Sequence, residues 1–217
     1  MARSIAVVSF GKGTGKTTIA LNLGLALHQL NHKVLVLDSD FTQTNMLDHL
    51  DISNMPVSIA QVLNDEAHIN DAVYRHITGL RILPSAIHDY GKFSYHYQDL
   101  LADYDYIILD TPVQSLNAEL VLKNADEALI VHSPEYSSKK VLDAISTLSR
   151  LKIMNLGIVL NKFSENSTNE LFGYPVIEKI PLHKNITRSY QLKNPVVHTH
   201  PGSSVSKKFQ RIAKKLG

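Results

Sequence analysis

Three glycines alternate with polar residues near the start of the chain, in the stretch SFGKGTGKTT from Ser9 to Thr18. Glycine allows positive φ angles and a close backbone approach, so successive N–H groups can converge on one anion. A lysine followed by threonine adds a cation for phosphate and a hydroxyl for Mg²⁺. The stretch therefore predicts a loop that binds the phosphates of a nucleoside triphosphate.

We expect the nucleotide to contact the loop at Gly11, Lys12, Gly13, Thr14, Gly15, Lys16, Thr17 and Thr18. Within the loop, Lys16 would reach the β- and γ-phosphates, and the Thr17 hydroxyl would hold Mg²⁺. The usual pattern G-x-x-x-x-G-K-[ST] is broken, because Phe10 stands where the first glycine belongs. The three remaining glycines still permit the close backbone approach, so the prediction does not depend on that position.

Carboxylates lie at the ends of two apolar runs, one before and one after the middle of the chain. Asp38 and Asp40 belong to the run KVLVLDSD, and Asp110 ends the run YDYIILD. Ligands of open α/β sheets bind outside the carboxyl ends of the strands, so these acids are expected beside the loop. Together with the hydroxyl of Thr17, the three carboxylates are the predicted oxygen ligands of Mg²⁺, directly or through water.

The elements that must position these residues alternate between strands and helices. Five apolar runs predict strands at Ser4–Phe10, Lys33–Asp40, Tyr104–Asp110, Glu127–Ser133 and Asn155–Asn161. Their near-continuous Val, Ile and Leu content is typical of strands that are covered on both faces. Helical spacing lies between them, at Thr17–Leu30 and Ser137–Leu151. The predicted class is α/β, a three-layer sandwich whose mostly parallel central sheet carries helices on both faces.

Composition narrows the class of protein further. The chain has 217 residues and is expected to form a single domain over 1–217. Its middle is less regular, and we expect a short strand there at Gly79–Ser85. It contains no cysteine, which excludes disulfides, thiolate metal sites and iron–sulfur ligation. Its apolar runs are shorter than the roughly 18 residues of a membrane span, and the first is too short for a signal peptide. We expect a cytoplasmic protein.

The stretch SFGKGTGKTTIALNLGLALHQLNHKVLVLDSD resembles the deviant Walker A ATPases of the MinD/ParA group, and favours the MinD-like branch. The likeness continues through YDYIILDTP, ADEALIVHSPEYSS, LNK and IPLHKNITRSYQLKNPVV, and is weakest over Asp51–Leu101. It implies the P-loop NTPase fold and an ATPase that acts as a nucleotide-driven dimerisation switch. Such proteins position or partition cellular components, and their hydrolysis is slow until a protein partner stimulates it.

The resemblance also implies roles for catalytic residues. The family carries a signature lysine five positions before the loop lysine that corresponds to Lys16. This signature lysine touches the phosphates of the partner subunit. In this chain that position is Gly11, and Lys12 follows one residue later. Lys12 can serve if the loop shifts by one residue. Asp40 matches the acid that orients or activates the attacking water, and Lys16 stabilises the charge that develops on the phosphates.

The base expected at this site is adenine. The stretch LNKF resembles the guanine-reading N-K-x-D motif, but the aspartate would fall at Ser164. In the family the asparagine corresponding to Asn161 bonds adenine, with Lys162 following it. The backbone at Pro181 and Leu182 matches the segment that frames the adenine ring.

Two alternatives remain open. The displaced Lys12 motivates a nucleotide-sensing protein with little hydrolysis. The C-terminal segment has cations and no acid. This charge pattern motivates the second alternative, a DNA-partition ATPase that uses the basic helix, or contact of the helix with a membrane or nucleoid. An apolar stripe at Val205, Phe209, Ile212 and Leu216 favours a core helix instead. The pair His198 and His200 is interpreted as surface histidines rather than a metal site.

Overall fold

The computed structural model describes residues 2–39, 45–52, 57–84, 90–113, 116–163 and 168–217. The strands in these ranges are β1 (Arg3–Val8), β2 (Val34–Asp38), β3 (Tyr74–Arg75), β4 (Arg81–Leu83), β5 (Tyr106–Asp110), β6 (Glu127–His132), β7 (Met154–Asn161), β8 (Glu170–Leu171) and β9 (Tyr174–Ile180). The helices are α1 (Lys16–His28), α2 (Asn45–Leu50), α3 (Ile59–Leu63), α4 (Tyr90–Leu100), α5 (Leu116–Leu122), α6 (Lys139–Leu151), α7 (Lys184–Gln191), α8 (Val196–Thr199) and α9 (Ser204–Leu216), with a 3₁₀ helix at Ile69–Ala72.

The described strands form one sheet in the order β3-β4-β2-β5-β1-β6-β7-β9-β8. Every pair from β4 to β9 is parallel, and only the short strands β3 and β8 run antiparallel at the two edges. The predicted mostly parallel sheet is confirmed. Because β1 lies between β5 and β6, the loop that follows β1 emerges at the centre of the carboxyl edge, where ligands of such sheets bind.

Helices cover the sheet on both faces, as predicted. Residues of α1, α8 and α9 pack on one face, and residues of α3, α4, α5 and α6 pack on the other. Along β2, Val34 and Val36 belong to the first layer, whereas Leu35 and Leu37 belong to the second. Since side chains alternate along a strand, both faces need apolar residues, which explains the unbroken apolar runs.

The predicted strands and helices are confirmed. Most of their ends differ from the predicted ends by one or two residues. The strands β3, β8 and β9 are absent from the sequence-based prediction. Among the described residues β8 pairs with β9 only at Tyr174 and Pro175, so the rest of β9 forms an edge of the sheet. The strand β9 reads YPVIEKI, and most of its residues are half-buried or exposed. An edge strand keeps one row of backbone groups unpaired and tolerates Pro, Glu and Lys, so it lacks the apolar signal of a central strand.

The basic C-terminal segment forms α9, which packs on the sheet. Val205, Phe209, Ile212 and Leu216 are buried there, as a core helix requires. The cations of α9 turn toward β9: Arg211 donates from Nε to Glu178 at 2.7 Å, and Lys215 donates from Nζ to the carbonyl of Ile177 at 2.6 Å. Lys208 Nζ lies 3.5 Å from the carboxylate of Glu178. Three cations of the basic face are therefore used within the chain.

The ion pairs of Glu178 predict a pH-dependent contribution to stability. Burial acts to raise the pKa of Glu178, but the hydrogen bond from Arg211 and the charges of Arg211 and Lys208 outweigh it, so the pKa lies below its usual value. The stabilisation is therefore present above the unfolded pKa of 4.5 and is lost as pH falls through the lower folded value. We expect Glu178→Gln to reduce the free energy of unfolding at pH 7 by about 2 kcal/mol.

Urea unfolding at pH 7 and at pH 3.5 measures this contribution. The difference between the variant and the wild-type protein should shrink at the lower pH, because the carboxylate is then increasingly protonated in both states. Glu170→Gln, at an exposed residue of β8, is the matched control and should change the free energy little at either pH. A pH-independent loss in Glu178→Gln would contradict the ion-pair explanation.

Candidate functional site

A cavity of about 670 Å³ opens at the carboxyl edge of the sheet. Its size lies within the range of pockets that hold cofactors. The predicted site residues that line it are Lys12, Gly13, Thr14, Gly15, Lys16, Thr17, Thr18, Asp110, Asn161, Lys162, Pro181 and Leu182. Of the other predicted residues, Gly11 lies behind the loop and Asp38 lies beside Asp110, whereas Asp40 falls outside the described part of the chain. The structure thus gathers residues from both halves of the sequence around one cavity.

The phosphate loop adopts the backbone conformation that its glycines permit. Gly13 has φ +67° and Gly15 has φ +92°, both in the left-handed region that side chains rarely adopt. A Cβ on Gly15 would also lie 2.3 Å from Nδ2 of Asn161, whereas one on Gly13 would meet open space. Gly15 is the N-cap of α1, so the loop leads directly into the N-terminus of that helix. Because these residues line the cavity, the N-terminus of α1 and its dipole lie at the cavity, as anion binding requires.

Gly11 is required for a different reason, which involves Tyr136. Its φ is not in the left-handed region, but a Cβ there would lie 2.5 Å from the Tyr136 ring. The Tyr136 hydroxyl donates a hydrogen bond of 2.6 Å to the carbonyl of Lys12. Tyr136, in the loop between β6 and α6, was not among the predicted site residues. The stretch that contains it carried part of the family resemblance, but no spacing rule placed it against the loop.

The contact between Gly11 and Tyr136 predicts non-additive effects on stability. Gly11→Ala is expected to cost about 1–3 kcal/mol of unfolding free energy, because the new methyl group overlaps the ring. In a Tyr136→Ala background the same change should cost less than about 0.5 kcal/mol, since the ring is gone. Urea unfolding of the four proteins gives the coupling energy, and Gly202→Ala is the control, because its Cβ would meet open space. Additive losses would contradict this account of Gly11.

The two lysines of the loop occupy different environments. Lys16 is only 8% exposed and begins α1, so its ammonium group is held inside the site. Lys12 is exposed, and it lines the same cavity at its rim. Because Tyr136 holds the carbonyl of Lys12, the backbone from which this side chain projects has a defined position. The structure therefore separates an interior cation from one that faces outward.

The end of β7 is tied to the phosphate loop. Asn161 donates from Nδ2 to the carbonyl of Thr14 at 2.6 Å, and it is buried. Lys162 donates from Nζ to the carbonyl of Gly13 at 2.9 Å and forms an ion pair of 2.8 Å with Glu135. These bonds tie the loop carbonyls of Thr14 and Gly13 to the end of β7. Glu135 is a further residue that sequence reasoning missed.

Two buried carboxylates lie side by side at the edge of the site. Asp38 and Asp110 are register partners on the parallel strands β2 and β5, so their side chains leave the sheet on the same face. This is the face that α1 covers. Neighbouring strands are about 4.8 Å apart, so the two acids project from adjacent positions, and like charges placed side by side favour a nearby cation. Thr17 and Asp110 both line the cavity, and hydroxyl and carboxylate oxygens are ligands of the kind that Mg²⁺ prefers.

His49 of α2 completes one wall of the cavity and was not predicted. Burial, and secondarily the positive charge of Lys193, lower the pKa of His49 to about 4. Its ring lies edge-on to Tyr190, with the ring centres 4.8 Å apart. His49 is therefore neutral near pH 7, and offers a ligand hydrogen bonds and ring surface rather than charge. It lies just before the irregular middle segment that begins at Asp51, and no motif of the sequence pointed to it.

Within the described ranges, no group of three or more His, Asp or Glu side chains is arranged to hold a metal ion. The described helices are also too short or too polar to cross a membrane.

Comparison with known proteins identifies the family. Residues 5–196 match the family described as the CobQ/CobB/MinD/ParA nucleotide binding domain. The chain belongs to this family. An uncharacterized ATP-binding protein of Methanocaldococcus jannaschii is 30% identical to it over 229 residues, covering 96% of this chain and 86% of the relative.

The MinD branch of this nucleotide-binding family is well represented among the relatives. The septum site-determining protein MinD of Synechocystis is 30% identical over 241 residues, covering all of this chain and 90% of that protein. The structure of MinD from Pyrococcus horikoshii complexed with Mg-ADP aligns with a TM-score of 0.89 and 28% identity, covering all of this chain and 96% of that one. The resemblance to the MinD/ParA group and the P-loop NTPase fold are confirmed.

Proposed function

We propose that this MinD/ParA-family protein is a Mg²⁺-dependent ATPase and acts as a nucleotide-driven dimerisation switch in the positioning or partitioning of cellular components. The observation that carries the proposal is the single cavity that unites the phosphate loop, Asp110 and the segment after β9. Residues 1–217 would form one ATPase domain that works in the cytoplasm.

Binding of ATP would use the two ends of this cavity. The triphosphate would lie on the N–H groups of the loop and the N-terminus of α1, with the Lys16 ammonium at the β- and γ-phosphates. Adenine would lie beside Asn161 and the backbone at Pro181 and Leu182. One N–H of the Asn161 amide is committed to Thr14, but an amide has a second N–H and a carbonyl oxygen to offer the base.

Magnesium fits the oxygen donors at the phosphate end. Thr17 and Asp110 would hold it, with Asp38 and Asp40 supporting it through water. When bound, the ion neutralises charge on the β- and γ-phosphate oxygens. The parallel register of β2 and β5 is what brings two of these acids together, although they lie far apart in the chain.

Hydrolysis would require a base or orienting group and positive charge at the γ-phosphate. We assign the first role to Asp40, which comes two residues after the end of β2 in the sequence. Lys16 would stabilise the developing charge from inside the site. Lys12 would supply further positive charge to the site of a second subunit, and its exposed position at the rim of the cavity suits that role.

A second candidate is a nucleotide-sensing protein that hydrolyses ATP little. The observation behind it is that Lys12 stands one residue after the position of the family's signature lysine. The sensing protein would bind ATP and change shape, but release it unhydrolysed. Contact with DNA or a membrane through α9 is not favoured, since three of its cations bind within the chain.

Light scattering coupled to size exclusion tests the proposal, with Mg-ATP, with Mg-ADP and without nucleotide. We expect a dimer only with ATP, and a rate of phosphate release per molecule that rises with protein concentration. An ATP-dependent dimer without turnover would favour the sensing protein. A monomer in all three conditions, with a turnover per molecule that does not depend on concentration, would contradict the dimerisation switch.

A further inference from the structure

A separate cleft of about 360 Å³ lies at the amino edge of the sheet, at the opposite end from the phosphate loop. We call it the basic cleft and define it by His28, His32, Lys33, Arg75 and Arg81. These residues come from the end of α1, the turn that follows it, and the strands β3 and β4. None of the residues lining this cleft is acidic.

The two arginines of the basic cleft face each other. Arg75 and Arg81 are direct register partners in the antiparallel pair of β3 and β4. Like charges in that arrangement repel and destabilise a sheet. Arg81 lies over the ring of Tyr104 at 5.8 Å, and neither arginine forms a salt bridge with a carboxylate among the described residues. An anion between the two guanidinium groups would relieve the repulsion.

The histidines of the cleft are held in place by packing. Gly79, in the turn between β3 and β4, has φ +88°, and a Cβ there would lie 2.9 Å from Nε2 of His28. A glycine therefore lets the His28 ring approach the turn. The His32 ring lies edge-on to Tyr106, with the ring centres 5.0 Å apart. These contacts, together with the approach of His28 Nδ1 to the carbonyl oxygen of His32 at 3.4 Å, fix both rings at the wall of the cleft, so that binding beside them costs little side-chain entropy.

Negative groups near the cleft are few and partly engaged. Asp105 accepts a hydrogen bond of 2.8 Å from the backbone N–H of Lys33, and Gly217 lies beside His32. The carbonyl end of α1 also opposes an anion, but a helix dipole amounts to only about half a charge. Lys33, Arg75 and Arg81 each carry a full positive charge, so the cleft stays positive.

We propose that the basic cleft binds a small molecule with two or more phosphate groups, at a site separate from the nucleotide cavity. Guanidinium groups bind phosphate through paired N–H donors, and two opposed arginines can engage two phosphates or two sides of one. The cleft is concave and of a size that suits a small ligand. A nucleic-acid backbone would instead require cations spread along an extended surface.

Calorimetry with inorganic tripolyphosphate tests the proposal on the full chain, with the nucleotide cavity saturated by Mg-ADP. We expect binding to one site and a loss of affinity of at least about tenfold in Arg75→Gln/Arg81→Gln. The matched control is Lys123→Gln/Lys207→Gln, which removes the same charge at exposed residues outside the cleft. Its affinity should stay within about twofold of the wild type, since screened charges at a distance contribute little.

Several outcomes would overturn the proposal. Equal weakening in both double variants would show a non-specific charge effect, and loss of tripolyphosphate binding when Mg-ADP is added would place the probe in the nucleotide cavity. Binding of a DNA duplex or of anionic vesicles that depends on the two arginines, without tripolyphosphate binding, would mean a macromolecular surface instead. The cleft variant should unfold at a temperature no lower than that of the wild type, because the repulsion between the arginines is removed, and it should keep its affinity for Mg-ATP. Arg75→Gln alone serves if the double variant is unstable.

Discussion

Replacement of Lys16 by alanine is expected to reduce ATP turnover by roughly a hundredfold to a thousandfold, the range for loss of one buried group that stabilises transition-state charge. Lys16 is buried at the first residue of α1 and lines the cavity beside Thr17 and Asp110. In such a site water is largely excluded, so a lost charge is not replaced by solvent. The affinity for ATP should fall as well, because we propose that the same ammonium group contacts the bound triphosphate.

Phosphate release under saturating ATP, together with equilibrium binding of a fluorescent ATP analogue, measures the two effects separately. Lys123→Ala removes an exposed lysine elsewhere and should leave both quantities unchanged. Circular dichroism and thermal unfolding establish that each variant is folded. If Lys16→Ala hydrolysed ATP as fast as the wild type, the assignment of the cavity as an ATPase site would be wrong.

Lys12→Ala is expected to separate binding from turnover. The affinity of a single chain for ATP should change by less than about threefold, because the exposed side chain adds only a screened charge to its own site. The ATP-dependent dimer should be lost, and turnover should fall by roughly a hundredfold or more, as when a charge donated across an interface is removed. Lys12→Arg keeps the charge and should retain part of the activity.

Mixing two inactive variants tests whether Lys12 acts across the dimer. Asp40→Asn should bind ATP and dimerise, but it lacks the group assigned to the attacking water. In a mixed dimer with Lys12→Ala, the Lys12→Ala subunit retains Asp40 and receives Lys12 from its partner, so one site of two is complete. Recovery of turnover on mixing would support action in trans. No recovery, with mixed dimers demonstrated by light scattering, would place Lys12 in its own subunit's site.

Much of the nucleotide site follows from local sequence. The loop from Gly11 to Thr18 is continuous in the chain, so the types and spacing of its residues are visible in the sequence itself. The apolar runs predict buried parallel strands, because only a strand covered on both faces needs apolar residues at every position. That argument fails at β9, where an edge position tolerates Pro175, Glu178 and Lys179.

Long-range contacts lie beyond such reasoning. The sequence predicts acids at two strand ends, but the pairing of Asp38 with Asp110 depends on β2 and β5 being neighbours in the sheet. The contact of Tyr136 with Gly11 likewise depends on the position of the loop after β6 relative to the loop after β1. Both are consequences of the strand order, and no periodicity in the chain encodes that order.

By itself the sequence determined the α/β class, the phosphate loop and the carboxylates that accompany it, because each arises from neighbouring residues and from the faces of single strands. Only the tertiary structure decided that Gly11 is required by the close Tyr136 ring rather than by a positive φ. It also decided that Asn161 binds the phosphate loop and that His49 lines the cavity uncharged. It alone brought Arg75 against Arg81 in a cleft. Packing joins residues that are distant in the chain, and the environment so created sets their conformation, charge and contacts.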